Sequence, residues 1–289
     1  MRMLVIGNGF IGASVIRRLE SEGHELLIYT RTRKQDFESQ QMTGDIFDFN
    51  EFVKTLSWKP QVIIHTAWVT SHGHYADDPL NYKYSQFTVS LARSLSHTDV
   101  EHLLILGTCA EYGSQSMAST AGVTKLNPKT LYAEQKVIAF NLAKQFLLGS
   151  NTRLSWARVF QPYGPNQDRK RLIPYLIDSI NKGQKVDLSD TSSVLDWITT
   201  RDIASAISWI LNNTTPIEVD IGTSIGYTNL EVLKNLENLL GHSAQLSTIS
   251  PQVLTEGVVS IVGKDSPLFK SGWLPKDNLT SGLEWVISS

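Results

Sequence analysis

Cysteine is almost missing from this sequence: Cys109 is the single one in 289 residues. That excludes an intramolecular disulfide and a cysteine-built metal cluster, and makes a reducing compartment the expectation. A charge excess of one sign is missing too. The 26 Lys and Arg against 28 Asp and Glu leave a formal net charge of −2. Neither nucleic acid nor an anionic membrane is an expected partner for such a chain. No apolar run approaches the ~18 residues of a membrane span. The run from Met1 to Ile6 is too short for a secretory leader and leads straight into a glycine loop. The expectation is a cytoplasmic protein. Hydrophobic residues at 41% and charged residues at 19% are ordinary for a folded chain. The length suits one large α/β domain with an elaborated second lobe, or two small domains.

What is present is an alternation. Short apolar runs at Met3–Ile6, Glu25–Tyr29, Val62–Ile64, Leu103–Leu106 and Leu154–Phe160 read as strands. Between them, helical spacing appears at Ala13–Glu22, Tyr82–Ser94 and Tyr132–Leu148. Strands alternating with helices predict a parallel sheet covered on both faces. After Phe160 the texture changes. Gln161-Pro162-Tyr163-Gly164-Pro165 is a turn-rich exit, and helices are predicted at Ile173–Asn181 and Asn229–Leu240. The expected division is a main domain over 1–160, to which 196–212 returns, and a smaller substrate lobe from 161–195 and 213–289.

Gly7-Asn8-Gly9-Phe10-Ile11-Gly12 sits between a strand and a helix, which is the context a dinucleotide fingerprint requires. The first glycine allows a tight turn, the second lets backbone approach a pyrophosphate, and the third lets helix pack on strand. The helix start adds free N–H groups and a positive dipole end. A Rossmann-type doubly wound sheet with a smaller C-terminal substrate-binding lobe is therefore the predicted fold. The second strand ends Tyr29-Thr30-Arg31-Thr32-Arg33. An NAD site usually places a carboxylate there for the ribose hydroxyls. Arg31 and Arg33 could instead pair with a 2′-phosphate, so NADP(H) is favoured and NAD(H) stays possible.

Tyr132 and Lys136 are spaced by four, which puts phenol and ammonium on one helix face. An ammonium nearby favours the phenolate and is expected to lower a phenol pKa of ~10. Thr108, after the strand ending at Leu106, offers a hydroxyl for a substrate oxygen. The alternate histidines of Ser71-His72-Gly73-His74 have no third ligand in view, so a loop near the site is the preferred reading and no metal is expected.

These motifs, with Gly44-Asp45-Ile46, Ile64-His65-Thr66-Ala67, Asp78-Pro79, Thr108-Cys109-Ala110-Glu111-Tyr112-Gly113, Arg158 to Pro165, Arg171-Leu172-Ile173-Pro174, Asp196-Trp197-Ile198 and Ile221-Gly222-Thr223, run nearly end to end. The chain resembles the epimerase/dehydratase branch of the extended short-chain dehydrogenases/reductases. The resemblance implies Tyr132 as acid/base, Lys136 on the nicotinamide ribose, and Thr108 in place of a commoner serine. It implies Asp45 and Ile46 at the adenine, Thr66, Ala67 and Trp68 along the cofactor, Gln86 behind the lysine where asparagine is common, and Val159-Phe160 beside the nicotinamide. Thr70, Cys109, Gln161, Arg171, Leu172 and Trp197 would face a nucleotide-diphosphate sugar. Leu195 stands where an arginine usually grips phosphate, and Arg169, Lys170 or Arg171 could supply that charge.

Such proteins carry out dehydration, epimerisation or ketoreduction. Dehydratases carry an Asp-Glu pair where Cys109 and Ala110 stand here, which argues against dehydration. The resemblance then points to 4-ketoreduction of a nucleotide-linked keto-deoxysugar, with 4-epimerisation as the alternative. A non-catalytic NADP(H) sensor is the alternative of another class, though sensors generally lack the tyrosine-lysine pair. A homodimer is expected, because Val137, Ile138, Phe140, Leu142, Phe146 and Leu147 cannot all face one sheet.

Overall fold

In the computed structural model, residues 1–188, 190–246 and 258–289 are described. The elements run in the order β1 (Arg2–Ile6), α1 (Phe10–Ser21), β2 (Glu25–Thr30), β3 (Gln40–Thr43), α2 (Phe49–Val53), β4 (Val62–His65), α3 (Leu80–Leu95), β5 (His102–Thr108), α4 (Leu131–Leu147), β6 (Arg153–Val159) and β7 (Gln161–Tyr163). They continue with α5 (Leu172–Asn181), β8 (Lys185–Val186), β9 (Val194–Thr199), α6 (Thr200–Asn212), β10 (Glu218–Ile221), β11 (Gly226–Thr228), α7 (Asn229–Leu240), β12 (Gln245–Leu246), β13 (Val259–Ser260), α8 (Pro267–Lys270) and α9 (Leu279–Ile287).

The main sheet has seven strands in the order β10-β6-β5-β4-β1-β2-β3. Every neighbouring pair is parallel. Parallel strands need crossovers, and helices on both faces supply them. Met3, Leu4, Val5 and Ile6 are all fully buried because β1 is covered on both sides. On one face, Val15, Ile16 and Leu19 of α1 pack with Ile203, Ala206, Ile207 and Ile210 of α6. On the other, Tyr84, Phe87 and Leu91 of α3 pack with Ala139, Phe140 and Ala143 of α4. A third core, including Leu176, Trp197, Leu233 and Leu283, belongs to the lobe.

Strand order reverses between β1 and β4. The chain leaves β1 towards β2 and β3, then returns to lay β4 on the opposite side. Ligands of such sheets lie outside the carboxyl ends at this switch. Gly7 follows β1 there, and Thr66 follows β4.

The predicted division of the chain shifts in three places. Residues 196–199 belong to β9, which pairs with β7, β11 and β13 in the lobe's own sheet. The return to the main domain therefore starts with α6. Within the expected lobe, β10 joins the main sheet beside β6. Leu268 and Trp273 also pack in the main core rather than the lobe's. Strand β3 was not foreseen: its sequence, Gln-Gln-Met-Thr, is a polar edge strand with no apolar run. Among the described residues, no helix is long and apolar enough to cross a membrane.

Candidate active site

A cleft of about 650 Å³ opens at the carboxyl ends of the sheet, between it and the lobe. One end is glycine backbone. Gly7 has φ +98°, a left-handed conformation that favours glycine. A Cβ on Gly12 would stand 2.4 Å from the Gly7 carbonyl and 2.7 Å from Thr66 Oγ1, while one on Gly9 would meet nothing within 4 Å. The turn is thus closed on its inner side and open towards the cleft. Gly9 caps α1 with no side-chain bond to the helix. The first N–H groups of α1 are left for a ligand, and the residues present fit a dinucleotide pyrophosphate. Asn8 Nδ2 donates to the Thr32 carbonyl at 2.8 Å, drawing the β2 exit towards the loop. Arg31, Asp45 and Ile46 line this end of the cleft.

The middle of the cleft is lined by Thr108, Tyr132 and Lys136. Thr108 ends β5, and the turn Cys109–Tyr112 follows. Thr108 Oγ1 accepts from Ala110 N at 3.3 Å. Thr108 N donates to Glu111 Oε1 at 2.8 Å. Glu111 is fully buried and accepts from Arg158 Nε at 2.7 Å and Trp156 Nε1 at 3.0 Å. Arg158 also reaches Glu218 at 2.9 Å. The threonine turn is thereby tied to β6 and β10.

Tyr132 opens α4, whose first turn is capped by Thr130. Lys136, one turn on, is buried and donates from Nζ to the Leu106 carbonyl at 2.6 Å. Its Nζ lies 3.7 Å from the centroid of the Trp68 ring. Trp68 in turn donates to Asn81 Oδ1 at 2.8 Å. Burial pulls the Lys136 ammonium well below its ordinary value, against the pull of Glu111. Burial likewise pushes the Tyr132 phenol up, with the Thr108 hydroxyl working the other way. The expected lowering of the phenol by the ammonium is therefore not what this arrangement produces. Lys136 Nζ is 6.0 Å from the Tyr132 centroid and turned to carbonyl and indole, so desolvation prevails. An upward shift from an ordinary value of ~10 leaves the Tyr132 phenol protonated at neutral pH. Burial also pushes the Cys109 thiol up, to about 11, which keeps it a neutral wall of the cleft.

The lobe supplies most of the far end. Gln161, Arg171, Leu172 and Trp197 line the cleft from it, and Thr70 from the segment after β4. Three buried polar atoms here, Gln167 Oε1, Trp197 Nε1 and Asn229 Oδ1, have no hydrogen-bond partner among the described residues. Unsatisfied buried groups are costly, and these three lie on residues that line the cleft.

The sequence model of the NAD dependent epimerase/dehydratase family matches residues 3–222. The chain belongs to this family and is an enzyme. A UDP-glucose 4-epimerase of Lactobacillus helveticus is 26% identical over 271 residues, spanning 83% of this chain and 82% of that one. The CDP-abequose synthase of Salmonella typhimurium is 27% identical over 137 residues, 45% of this chain and 46% of that one. Among solved structures, the UDP-glucose 4-epimerase of Thermus thermophilus in complex with NAD superposes with a TM-score of 0.88 at 23% identity. It is covered to 98%, and this chain to 100%. That likeness concerns the fold.

Most of the side chains expected in this family member's site do line the cleft, but two do not. Gln86 is exposed on α3. Asn81 instead stands behind the lysine, fully buried and bonded through Trp68. Five residues further along a helix of 3.6 residues per turn, Gln86 faces away. Arg33 turns from the cleft and donates to the Gln41 carbonyl at 3.0 Å, on the strand the sequence hid. Asn81, Tyr75, Gln167 and Asn229 were missed. The first follows the Asp78-Pro79 motif, a signal that was available. The others come from segments with no shared motif.

Proposed function

We propose that this family enzyme transfers hydride at C4 of a sugar carried on a nucleoside diphosphate, with 4-ketoreduction as the net reaction. The observation that supports it is the one wall shared by Thr108, Tyr132 and Lys136, where Cys109 and Ala110 leave no acid and base for eliminating water. A bound nicotinamide supplies the hydride. Tyr132, kept protonated by burial, gives its proton to the carbonyl oxygen, and Thr108 Oγ1 orients that oxygen. Lys136, which lines the same cleft, would hold the cofactor ribose. NADP(H) is the preferred cofactor, on the strength of Arg31 at the cleft and no carboxylate at the end of β2.

The test is NADPH oxidation with nucleotide-linked 4-keto-6-deoxysugars. Stoichiometric oxidation is the expected result. Interconversion of UDP-glucose and UDP-galactose with catalytic NAD, and no net oxidation, would establish 4-epimerisation instead. The UDP-glucose 4-epimerase relatives favour that second reading, as does the NAD bound in structural neighbours.

The protein is also proposed to be a homodimer through α3 and α4. Tyr82 of α3 and Ile138, Leu142 and Phe146 of α4 are exposed, while Ala139, Phe140 and Ala143 of α4 are buried. An apolar surface of this kind suits a two-fold helical interface. Light scattering should report twice the 32.3 kDa of the chain; a monomer at micromolar concentration counts against it.

A further inference from the structure

The segment from Thr70 to Pro79 borders the cleft, and the reaction proposed above assigns it no part. Its centre is Tyr75. That ring meets the Tyr132 ring edge to face, with centroids 5.1 Å apart. Against the same ring lies the Arg171 guanidinium, its carbon 5.2 Å from the Tyr75 centroid. Arg171 Nη2 also donates to the Thr70 carbonyl at 3.1 Å. The backbone fixes the rest: Tyr132 N donates to the Ala76 carbonyl at 2.8 Å, and Asn81 Nδ2 to the Tyr75 carbonyl at 2.7 Å. Asn81 holds Trp68, and Trp68 carries Lys136. A continuous line of contacts thus runs from Arg171 in the lobe to both groups of the reaction.

The surroundings of Arg171 indicate what draws it. Among the described residues lining the cleft, the lysines and arginines are Arg31, Lys136 and Arg171. Arg31 stands by the glycine loop, and Lys136 is buried under Trp68. Arg171 alone stands at the lobe end, and it makes no ion pair among the described residues. It precedes α5, which has no side-chain cap, so the N–H groups of Leu172 and Ile173 are left over. The Nε1 of Trp197, a side chain 8% exposed, has no partner among the described residues. Asp168, three residues before Arg171, also lines the cleft and brings a negative charge, with one oxygen accepting from Lys170 N at 2.9 Å. Arg171, the start of α5 and Trp197 thus bring a cation and spare donors to the same cleft, which suits an anion. The Gln167 and Asn229 oxygens there are acceptors and suit hydroxyl groups instead.

We propose that Tyr75 is a positioning residue that couples the seating of the substrate's diphosphate on Arg171 to the placement of Tyr132. It rests on the reading above that the substrate is a nucleotide-linked sugar. An aromatic face holds a guanidinium without occupying its N–H fork, so Arg171 is oriented yet free to bond an anion. A diphosphate that takes Arg171 from the Thr70 carbonyl carries the stacked Tyr75 ring with it. Tyr132 packs against that ring and moves into line only when the far end of the substrate is seated.

Kinetics of Tyr75→Leu are the first test. Loss of the ring should lower kcat roughly 10- to 100-fold through misplacement, with cofactor affinity unchanged as proof of folding. Tyr75→Phe should restore it, since the ring and not the hydroxyl makes both contacts. A raised KM with normal kcat makes the segment a binding surface only and overturns the coupling. Two further readouts need no turnover. Calorimetry with UDP, CDP, GDP and dTDP should show Tyr75→Leu weakening the tightest probe several-fold, with no further loss in an Arg171→Gln background. Additive losses, or no binding of any probe by the native protein, overturn it. The absorbance titration of the Tyr132 phenol, taken as native minus Tyr132→Phe, should shift on adding that probe, and not in Tyr75→Leu. A protein that shows both effects but turns over no nucleotide sugar refutes the proposed reaction and leaves the coupling intact.

Discussion

At the end of β1 the cleft wall is backbone: glycines with no side chain to change, a helix start, and a threonine hydroxyl holding the Ile6 and Gly7 carbonyls at 3.0 Å each. Beside α5 it is side chain: Arg171 from one loop, Tyr75 from another, Trp197 from β9 and Asn229 from the start of α7. On the function proposed above, the first end would take what every dinucleotide shares, a pyrophosphate. The second would take the nucleotide-linked sugar, its diphosphate on Arg171 and the rest on the side chains around it. Backbone recognition leaves few residues free to vary, whereas side-chain recognition leaves nearly all of them free.

The largest test of this contrast lies between the two ends. Tyr132→Phe removes one oxygen and should cut turnover about 10²–10⁴-fold, while binding of cofactor and of nucleoside diphosphate stays normal by calorimetry. Loss of either binding would show that the tyrosine belongs to one end after all. Gly12→Ala attacks the backbone end. Its Cβ meets the Gly7 carbonyl at 2.4 Å, so the loop must shift. Cofactor binding should fall at least tenfold and stability by about 1–3 kcal/mol in denaturant unfolding, with nucleoside diphosphate binding retained. Arg31→Ala is a side-chain change at the backbone end. It should narrow any preference for NADPH over NADH by about 1–3 kcal/mol, read by fluorescence titration. Arg33→Ala should change nothing, because that guanidinium is spent on the Gln41 carbonyl.

The smallest effect near neutral pH comes from two imidazoles in the sheet. His65 and His102 are both depressed from an ordinary 6.5 to about 3, by burial first and by Lys136 and Arg153 respectively. The folded protein keeps them neutral, while the unfolded chain protonates them near 6.5. Their contribution to stability is therefore whole above 6.5 and is lost as pH falls from there towards 3. Melting temperature should drop over that window, and His102→Gln should flatten the fall. A melting temperature that rose on acidification across it would refute this account.

The same contrast governs what could be read from the sequence. Strands β1, β4, β5 and β6 are apolar runs, and the glycine loop lies in fixed order behind the first of them. Local chemistry dictates these, so spacing reveals them. Tyr132 and Lys136 were legible for the same reason, being one helical turn apart. Strand β3 is polar, and β10, Glu-Val-Asp-Ile, carries Asp220, buried against Tyr112, and Glu218, partly buried against Arg158. Nothing local marks either. Tyr75, Gln167 and Asn229 meet at the cleft only through folding, and no spacing rule joins positions so far apart. Even the shift of Tyr132 went against expectation, because desolvation is a property of surroundings rather than neighbours in sequence.

The place of β10 has a consequence for how the molecule comes into being. It is the outermost strand of the main sheet, yet it is made after β7, α5, β8 and β9 of the lobe. A chain emerging from its N-terminus can lay down β1 to β6, but one edge of that sheet stays bare until residue 221 is available. Until then Arg158 is without Glu218, and Tyr112 without Asp220. The lobe cannot be cut out or exchanged as a contiguous cassette, because its chain runs into the sheet and out again. Long-range parallel pairing of this kind is slow to form. The half-made sheet is the stage at which the nascent protein is most exposed to wrong partners.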